Sequence, residues 1–125
     1  MTRPRITGAE WEVMEALWRR GSATSADLSG SVTPATGWSP ATVKTLLGRL
    51  VKKRAVTFED HGSHYLYRPR VTREECVRAE ARSLVDRVFG GDSASLLLHF
   101  IDEVELSPAE IAALRRKLDA KGEEE

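Results

Sequence analysis

The sequence holds a single cysteine, Cys76, in 125 residues. No disulfide framework can form within the chain, and a lone thiol suits a reducing compartment. Long apolar runs are also missing. The most hydrophobic stretch, Leu96 to Leu98 with Phe100 and Ile101, falls far short of the roughly 18 residues that a spanning helix needs. The opening Met-Thr-Arg-Pro-Arg leads into no apolar segment, so no secretory leader is expected. These absences predict a soluble cytoplasmic protein with no membrane insertion. Glycine-rich phosphate loops, a Gly-x-Ser-x-Gly elbow and a carboxylate pair placed in a predicted cleft are absent too. The chain is therefore not expected to be an enzyme, and nothing in it calls for a cofactor.

Net charge is zero, with 19 basic and 19 acidic side chains, but the charges are not evenly spread. Residues 1–70 carry 11 Lys and Arg against 6 Asp and Glu, whereas residues 71–125 carry 8 against 13. A basic front and an acidic rear suggest an N-terminal anion-binding surface and a C-terminal part with a different task. The length fits one compact domain, or a small domain followed by an oligomerisation segment.

Helix start signals divide the chain. Thr7 to Glu10 forms a capping box flanked by Ile6 and Trp11 at the staple positions. Val13, Met14, Leu17 and Trp18 then keep helical spacing until Gly21 ends the run. A weaker second helix is expected from Ser25 to Val32, carrying Ala26 and Leu28, with Thr33 to Gly37 as a turn. Ser39-Pro40 is an N-cap with proline at the first helical position, predicting a third helix to about Arg54. Its apolar stripe is Val43, Leu46, Leu47 and Leu50. Two β-rich runs follow, Val56 to Glu59 and His64 to Arg68, joined by a turn at Asp60 to Ser63. Three more helices are expected. Thr72 to Glu75 caps a stripe of Val77, Ala81, Leu84, Val85 and Val88. Asp92 caps the Leu96–Ile101 segment, and Ser107-Pro-Ala-Glu110 opens a helix with Ile111, Leu114 and Leu118.

Three helices and a hairpin within the first 70 residues follow the order of a winged helix-turn-helix, with the third helix for recognition and the hairpin as wing. The fold class is therefore mainly α with a small β-hairpin wing: residues 1–70 as the winged-helix domain, 71–125 as a helical domain. At 100° per residue, the face of the third helix opposite its stripe centres on Ala41, Thr45, Gly48 and Lys52, flanked by Lys44 and Arg49. Small residues let a backbone approach base edges, and Thr45 offers a hydroxyl and a methyl to them. Lys44 and Arg49 would meet phosphates, with Lys52, Lys53 and Arg54 extending the charge. Ser39 and Thr42 add hydroxyls beside the helix amides. This face has no acidic residue between Ser39 and Arg54, where an ordinary solvated helix would mix signs.

Several segments carry a family resemblance. Glu10-Trp-Glu-Val-Met14, Leu17-Trp18, Trp38-Ser-Pro-Ala-Thr-Val43, Leu50-Val-Lys-Lys53, Tyr65-Leu-Tyr67, Leu106-Ser107 and Glu110-Ile111 resemble the penicillinase and methicillin-resistance repressors of the BlaI/MecI type. The likeness runs from about Ile6 to Lys121, and the Trp-Ser-Pro-x-Thr start of the third helix is its most specific part. It implies a dimeric transcriptional repressor that binds a palindromic double-stranded DNA operator in front of resistance genes. It puts Thr42, Lys44, Thr45 and Arg49 at DNA-contacting positions and His61, Ser63 and His64 of the wing on the backbone. It also implies a C-terminal dimerisation domain, and release by proteolysis there after a signal from a membrane sensor protease. The family's cut bond is Asn-Phe; the matching pair here is His99-Phe100.

Dimerisation also follows from the residues themselves. Val77, Ala81, Leu84, Val85, Leu97, Leu98, Ile101, Ile111, Leu114 and Leu118 are more apolar surface than one short helical segment can bury. Copper-responsive relatives carry Cys-x-Cys pairs, which one cysteine cannot supply. His61-Gly-Ser-His64 has metal-ligand spacing but lacks a third ligand, so no metal site is expected. Two alternatives stay open: release by a small ligand or metal instead of proteolysis, and a winged helix that binds protein without DNA.

Overall fold

Short polar side chains start the helices by taking up backbone amides that have no partner inside the helix. The computed structural model describes residues 5–124. The opening Met1-Thr-Arg-Pro4, read above as lacking an apolar leader, lies outside the described residues, as does Glu125. In chain order the elements are α1 (Gly8–Arg20), α2 (Ser25–Thr36), α3 (Pro40–Lys52), β1 (Val56–Asp60), β2 (Tyr65–Pro69), α4 (Arg73–Val88), α5 (Ser93–Glu103) and α6 (Pro108–Glu123). Reciprocal capping boxes open α1, α2 and α6 at Thr7, Thr24 and Ser107. Ser39 and Asp92 cap α3 and α5, and the Thr72 hydroxyl accepts from the Glu75 amide at 3.1 Å. The mainly helical architecture with one hairpin agrees with the sequence reading. No described helix is long and apolar enough to cross a membrane.

One element runs longer than its sequence suggests. The expected turn at Thr33 to Gly37 is the last turn of α2, with Pro34 inside the helix. Local bonds hold it. Gly37 adopts the left-handed conformation at φ 75° and donates to Thr33 O at 2.7 Å, while the Thr33 hydroxyl reaches Trp38 O at 2.8 Å. Ala26, expected on the apolar side, is exposed; Leu28 and Val32 are the buried residues of α2.

The core forms among α1, α2, α3 and the base of the hairpin. Val13, Met14 and Leu17 meet Leu28, Val32, Val43, Leu46, Leu47, Leu50 and Val56, all buried, so the predicted α3 stripe is buried at every position. Trp11, Trp18 and Trp38 pack on its edge. The hairpin is antiparallel, with Phe58 opposite Tyr67 and Asp60 opposite Tyr65. Ala23, in the α1–α2 connection, pairs with Tyr67 through two backbone bonds of 3.0 and 2.8 Å and so fastens β2 to the start of α2.

An ion pair between a buried carboxylate and a half-buried lysine links α1 to the end of α3. Glu10 is 1% exposed, and its Oε1 accepts the Thr7 amide at 2.9 Å and the Lys53 ammonium. Lys53 Nζ also donates to Arg5 O at 2.8 Å. Burial opposes ionisation of Glu10, but the Lys53 and Thr7 hydrogen bonds and the lysine charge outweigh it, holding the carboxyl below its ordinary range. Lys53 therefore faces inward and does not extend the outer charge of α3, as the sequence alone suggested.

The chain divides into two units that meet between Ser83 and Leu84. The sequence puts the boundary near residue 70, but the start of α4 packs with the N-terminal unit. Val71 and Cys76 are buried in its core, Trp18 Nε1 donates to Val71 O at 2.9 Å, and Arg73 Nε meets Glu15 Oε1 at 2.9 Å. The second unit has a different character. Neither α5 nor α6 contains a buried residue among those described, and Leu97, Leu98 and Leu118 are 56%, 62% and 56% exposed.

Removing Lys53 strands a buried carboxylate. Lys53→Met is expected to cost about 2–4 kcal/mol in urea unfolding, against a small effect for the exposed Lys52→Met. Because the folded state lowers the Glu10 pKa, its contribution is present above the unfolded carboxylate value and is lost as acid titrates the folded group. Stability measured from neutral to acid pH should fall less steeply in Glu10→Gln than in the parent chain.

Candidate nucleic-acid interface

The face of α3 opposite the core is exposed. Ser39, Ala41, Thr42, Lys44, Thr45, Gly48, Arg49 and Lys52 are all exposed, on the side predicted from the helical period. The Ser39 hydroxyl accepts the Thr42 amide at 3.3 Å and lies 3.2 Å from the Thr42 hydroxyl. Thr45 Oγ1 donates to Ala41 O at 3.0 Å, a bond back onto its own helix that fixes the hydroxyl. A Cβ added at Gly48 would meet nothing within 4 Å. No packing in the fold therefore requires a glycine there.

The wing stands beside this helix. Gly62 takes φ 85°, which a turn this tight requires, and His61 N donates to His64 O at 2.9 Å across it. The rings of His61 and His64 stack at 5.6 Å, and His61 Nε2 lies 3.2 Å from Glu59 Oε2. His64 Nδ1 is 3.1 Å from the Ser63 hydroxyl. Glu59 also faces Arg68 at 3.7 Å, and Asp60 Oδ1 accepts the Gly62 amide at 2.9 Å. The wing's two carboxylates are thus engaged within the wing. Among the described residues, no group of three or more His, Cys, Asp or Glu could hold a metal ion.

The inner face of the hairpin is aromatic: Phe58 lies 4.6 Å from Tyr65 and 5.9 Å from Tyr67. Phe58 and Tyr65 are exposed, while Tyr67 reaches the core. Burial, with the neighbouring Tyr65 adding to it, pushes the Tyr67 phenol above its ordinary pKa and keeps it a neutral donor. The sequence reading placed Ser25 at a helix start and Tyr65 in a strand, and gave neither a role at the site. Their position beside Lys44 and His64 depends on the Ala23–Tyr67 pairing, which no local pattern signals. The arrangement presents a small-residue strip of α3 bordered by Lys44, Arg49 and Lys52, a surface suited to a polyanion with a groove.

The candidate dimer residues lie mostly at the surface of the single chain. Val77, Ala81, Leu97, Leu98, Ile101, Ile111, Leu114 and Leu118 are exposed, Leu84 is half-buried, and Val85 is the exception, buried by its own chain. Ile101, Val104, Leu106, Ile111, Leu114 and Leu118 line an apolar groove of about 400 Å³. His99 and Phe100 are exposed within α5, and the His99 ring lies 6.1 Å from both Phe89 and Phe100.

Comparison with known proteins gives consistent matches. The family model described as "Penicillinase repressor" matches residues 6–120. The penicillinase repressor of Bacillus licheniformis is 30% identical over 116 residues, covering 93% of this chain and 91% of that protein. The methicillin resistance regulatory protein MecI of Mammaliicoccus sciuri is also 30% identical, over 93% of this chain and 94% of its own. Among solved structures, the DNA-binding domain of the repressor BlaI is 31% identical with a TM-score of 0.55, covering 59% of this chain and 90% of that domain. Monomeric Bacillus licheniformis BlaI in complex with the blaP half-operator has the same identity and coverage with a TM-score of 0.52.

If Gly48 does not serve the fold, alanine should suit it better. Gly48→Ala is expected to stabilise the chain by about 0.5–1 kcal/mol through helix propensity. A lower midpoint in thermal or urea unfolding would show that the glycine is structural after all.

Proposed function

The chain belongs to the penicillinase repressor family, and on that premise we propose that it is a dimeric, sequence-specific DNA-binding repressor of a resistance-type operon. The observation that carries this reading is the outer face of α3, exposed along its length, small at Ala41, Thr45 and Gly48, basic at Lys44, Arg49 and Lys52, and free of acid. In this reading α3 enters the major groove. Thr45 and the small residues approach base edges, and Lys44, Arg49 and Lys52 neutralise phosphates on either side. Ser39 and Thr42 at the helix start, and His61, Ser63 and His64 in the wing, contact the backbone. The operator bound by such a structure in half-operator complex supports a DNA partner for this chain too.

Dimerisation by the C-terminal helices accounts for their exposed leucines. Val77, Ala81, Leu84, Leu97, Leu98, Ile101, Ile111, Leu114 and Leu118 would meet their counterparts across a two-fold axis, and two recognition helices would then read a dyad. Residues 1–70 serve as the DNA-binding domain and 71–125 as the dimerisation domain, with the opening turns of α4 anchored on the former. Release proceeds by cleavage at His99-Phe100, prompted by a membrane sensor protease. The cut would detach Phe100 onward, including Ile111, Leu114 and Leu118, and leave the N-terminal core intact. A second reading, release by a small ligand or metal, is favoured by His99 standing where the family bond has asparagine.

Duplex binding followed across a salt series tests the central reading and separates the roles of two residues. Arg49→Ala should weaken binding to every sequence about equally and flatten the salt dependence. Thr45→Ala should relax base preference and cost about 1 kcal/mol or more on the preferred site. A wild-type chain without salt-dependent affinity for duplex would favour a protein-binding module instead. For the assembly, sedimentation of the full chain at micromolar concentration should give a dimer, and a stable folded monomer would refute it. For the switch, immunoblots of cells challenged with a β-lactam should show a shortened chain. Induction with only full-length protein would assign release to a ligand.

A further inference from the structure

The Ala23–Tyr67 pairing holds the first residue of α2, Ser25, beside the wing, and Lys44 approaches from α3. Between them lies an open cleft of about 440 Å³, whose lining includes Ser25, Lys44, Asp60, Ser63, His64, Tyr65 and Tyr67. The cleft gathers one ammonium, four hydroxyls, one imidazole and one carboxylate. The hydroxyls of Ser25, Tyr65 and Tyr67, the Lys44 ammonium and His64 Nε2 have no hydrogen-bond partner among the described residues, whereas the Ser63 hydroxyl lies 3.1 Å from His64 Nδ1 and Asp60 Oδ1 accepts the Gly62 amide at 2.9 Å. Such a set suits an anion with several acceptor oxygens.

A duplex entered by α3 would carry a phosphodiester along this edge of the helix. We propose that the cleft seats one operator phosphate per half-site, bound by Lys44, Ser25 and Tyr65, and that His64 joins as its imidazolium, so that operator binding takes up a proton. The charge balance supplies the reason. The groups facing His64 are Lys44 on α3, Asp27 on α2, Asp60 and His61 around the turn, and Tyr65 and Tyr67 on β2. Asp60 and Asp27 are matched there by two fixed cations, Lys44 and the Arg20 that acts on Asp27, so the phosphate adds a negative charge that no fixed cation offsets. A further cation offsets it, and histidine is the residue type that gains charge between about pH 5 and 8. This inference rests on the repressor reading and assigns Ser25 and Tyr65 a part in it.

The test uses the full chain and a palindromic duplex enriched by it from a random-sequence pool, with affinity read by fluorescence anisotropy at constant ionic strength. Wild type should bind about fivefold or more tightly near pH 6 than near pH 8. His64→Gln should abolish that difference, and His99→Gln in α5 should keep it. Tyr65→Phe and Ser25→Ala should each weaken binding about fivefold, as for one lost hydrogen bond. Replacing phosphates singly by neutral methylphosphonates should reveal one position per half-site at which Tyr65→Phe brings no further loss. An unchanged pH dependence in His64→Gln, or the lack of any such position, overturns the proposal while operator binding stands. Failure of the wild-type chain to bind duplex overturns the repressor reading itself.

Discussion

The placement of α3 depends on a carboxylate with almost no access to water. Glu10 does two things with one side chain: it completes the cap of α1, and it receives the ammonium at the end of α3. A buried acid is tolerable only when paired and hydrogen-bonded, so the first turn of one helix and the residue that closes another are fixed together. The apolar stripe beneath them sets how close the helices pack, but hydrophobic contact is non-directional. The pair adds direction. It defines which end of α3 lies over which end of α1, and thus the direction in which Thr45 and Arg49 point.

Two design regimes share this chain. The N-terminal unit satisfies itself, with a filled core, closed caps and a hairpin fastened at Ala23. The helices after Ser83 do not: α5 and α6 bury no residue, although they carry Leu96, Leu97, Leu98, Leu114 and Leu118. In the proposed reading, recognition belongs to the first unit and association to the second, so that protein concentration would bear on the second far more than on the first.

Much of the fold was legible because its signals are local. Capping at Thr7, Ser39 and Ser107, the proline after two of those caps, and the stripe at Val43, Leu46, Leu47 and Leu50 each depend on residues within two turns. The exposed face of α3 follows from that stripe by geometry alone. What escaped was non-local or a matter of competing terms. Pro34 reads as a breaker, yet the Gly37 and Thr33 bonds carry the helix past it. Lys53 reads as one more surface cation until Glu10, 43 residues away, is seen beneath it. Val85 reads as an interface residue on the same stripe as Val88, but its own chain covers it. That Ser25 and Tyr65 lie together carries no local signal, because a single backbone bridge, Ala23 to Tyr67, brings them together.

The hydroxyl of Thr45 has already given its proton to Ala41 O. In the proposed docking, what it would show a base in this arrangement is a lone pair and a methyl group. Adenine and cytosine turn amino groups toward the major groove and thymine turns a methyl, whereas guanine offers two acceptors there. Opposite guanine, lone pair would confront lone pair with no water able to come between them cheaply. If α3 docks as proposed, a bond made entirely within one helical turn would thus disfavour guanine opposite Thr45.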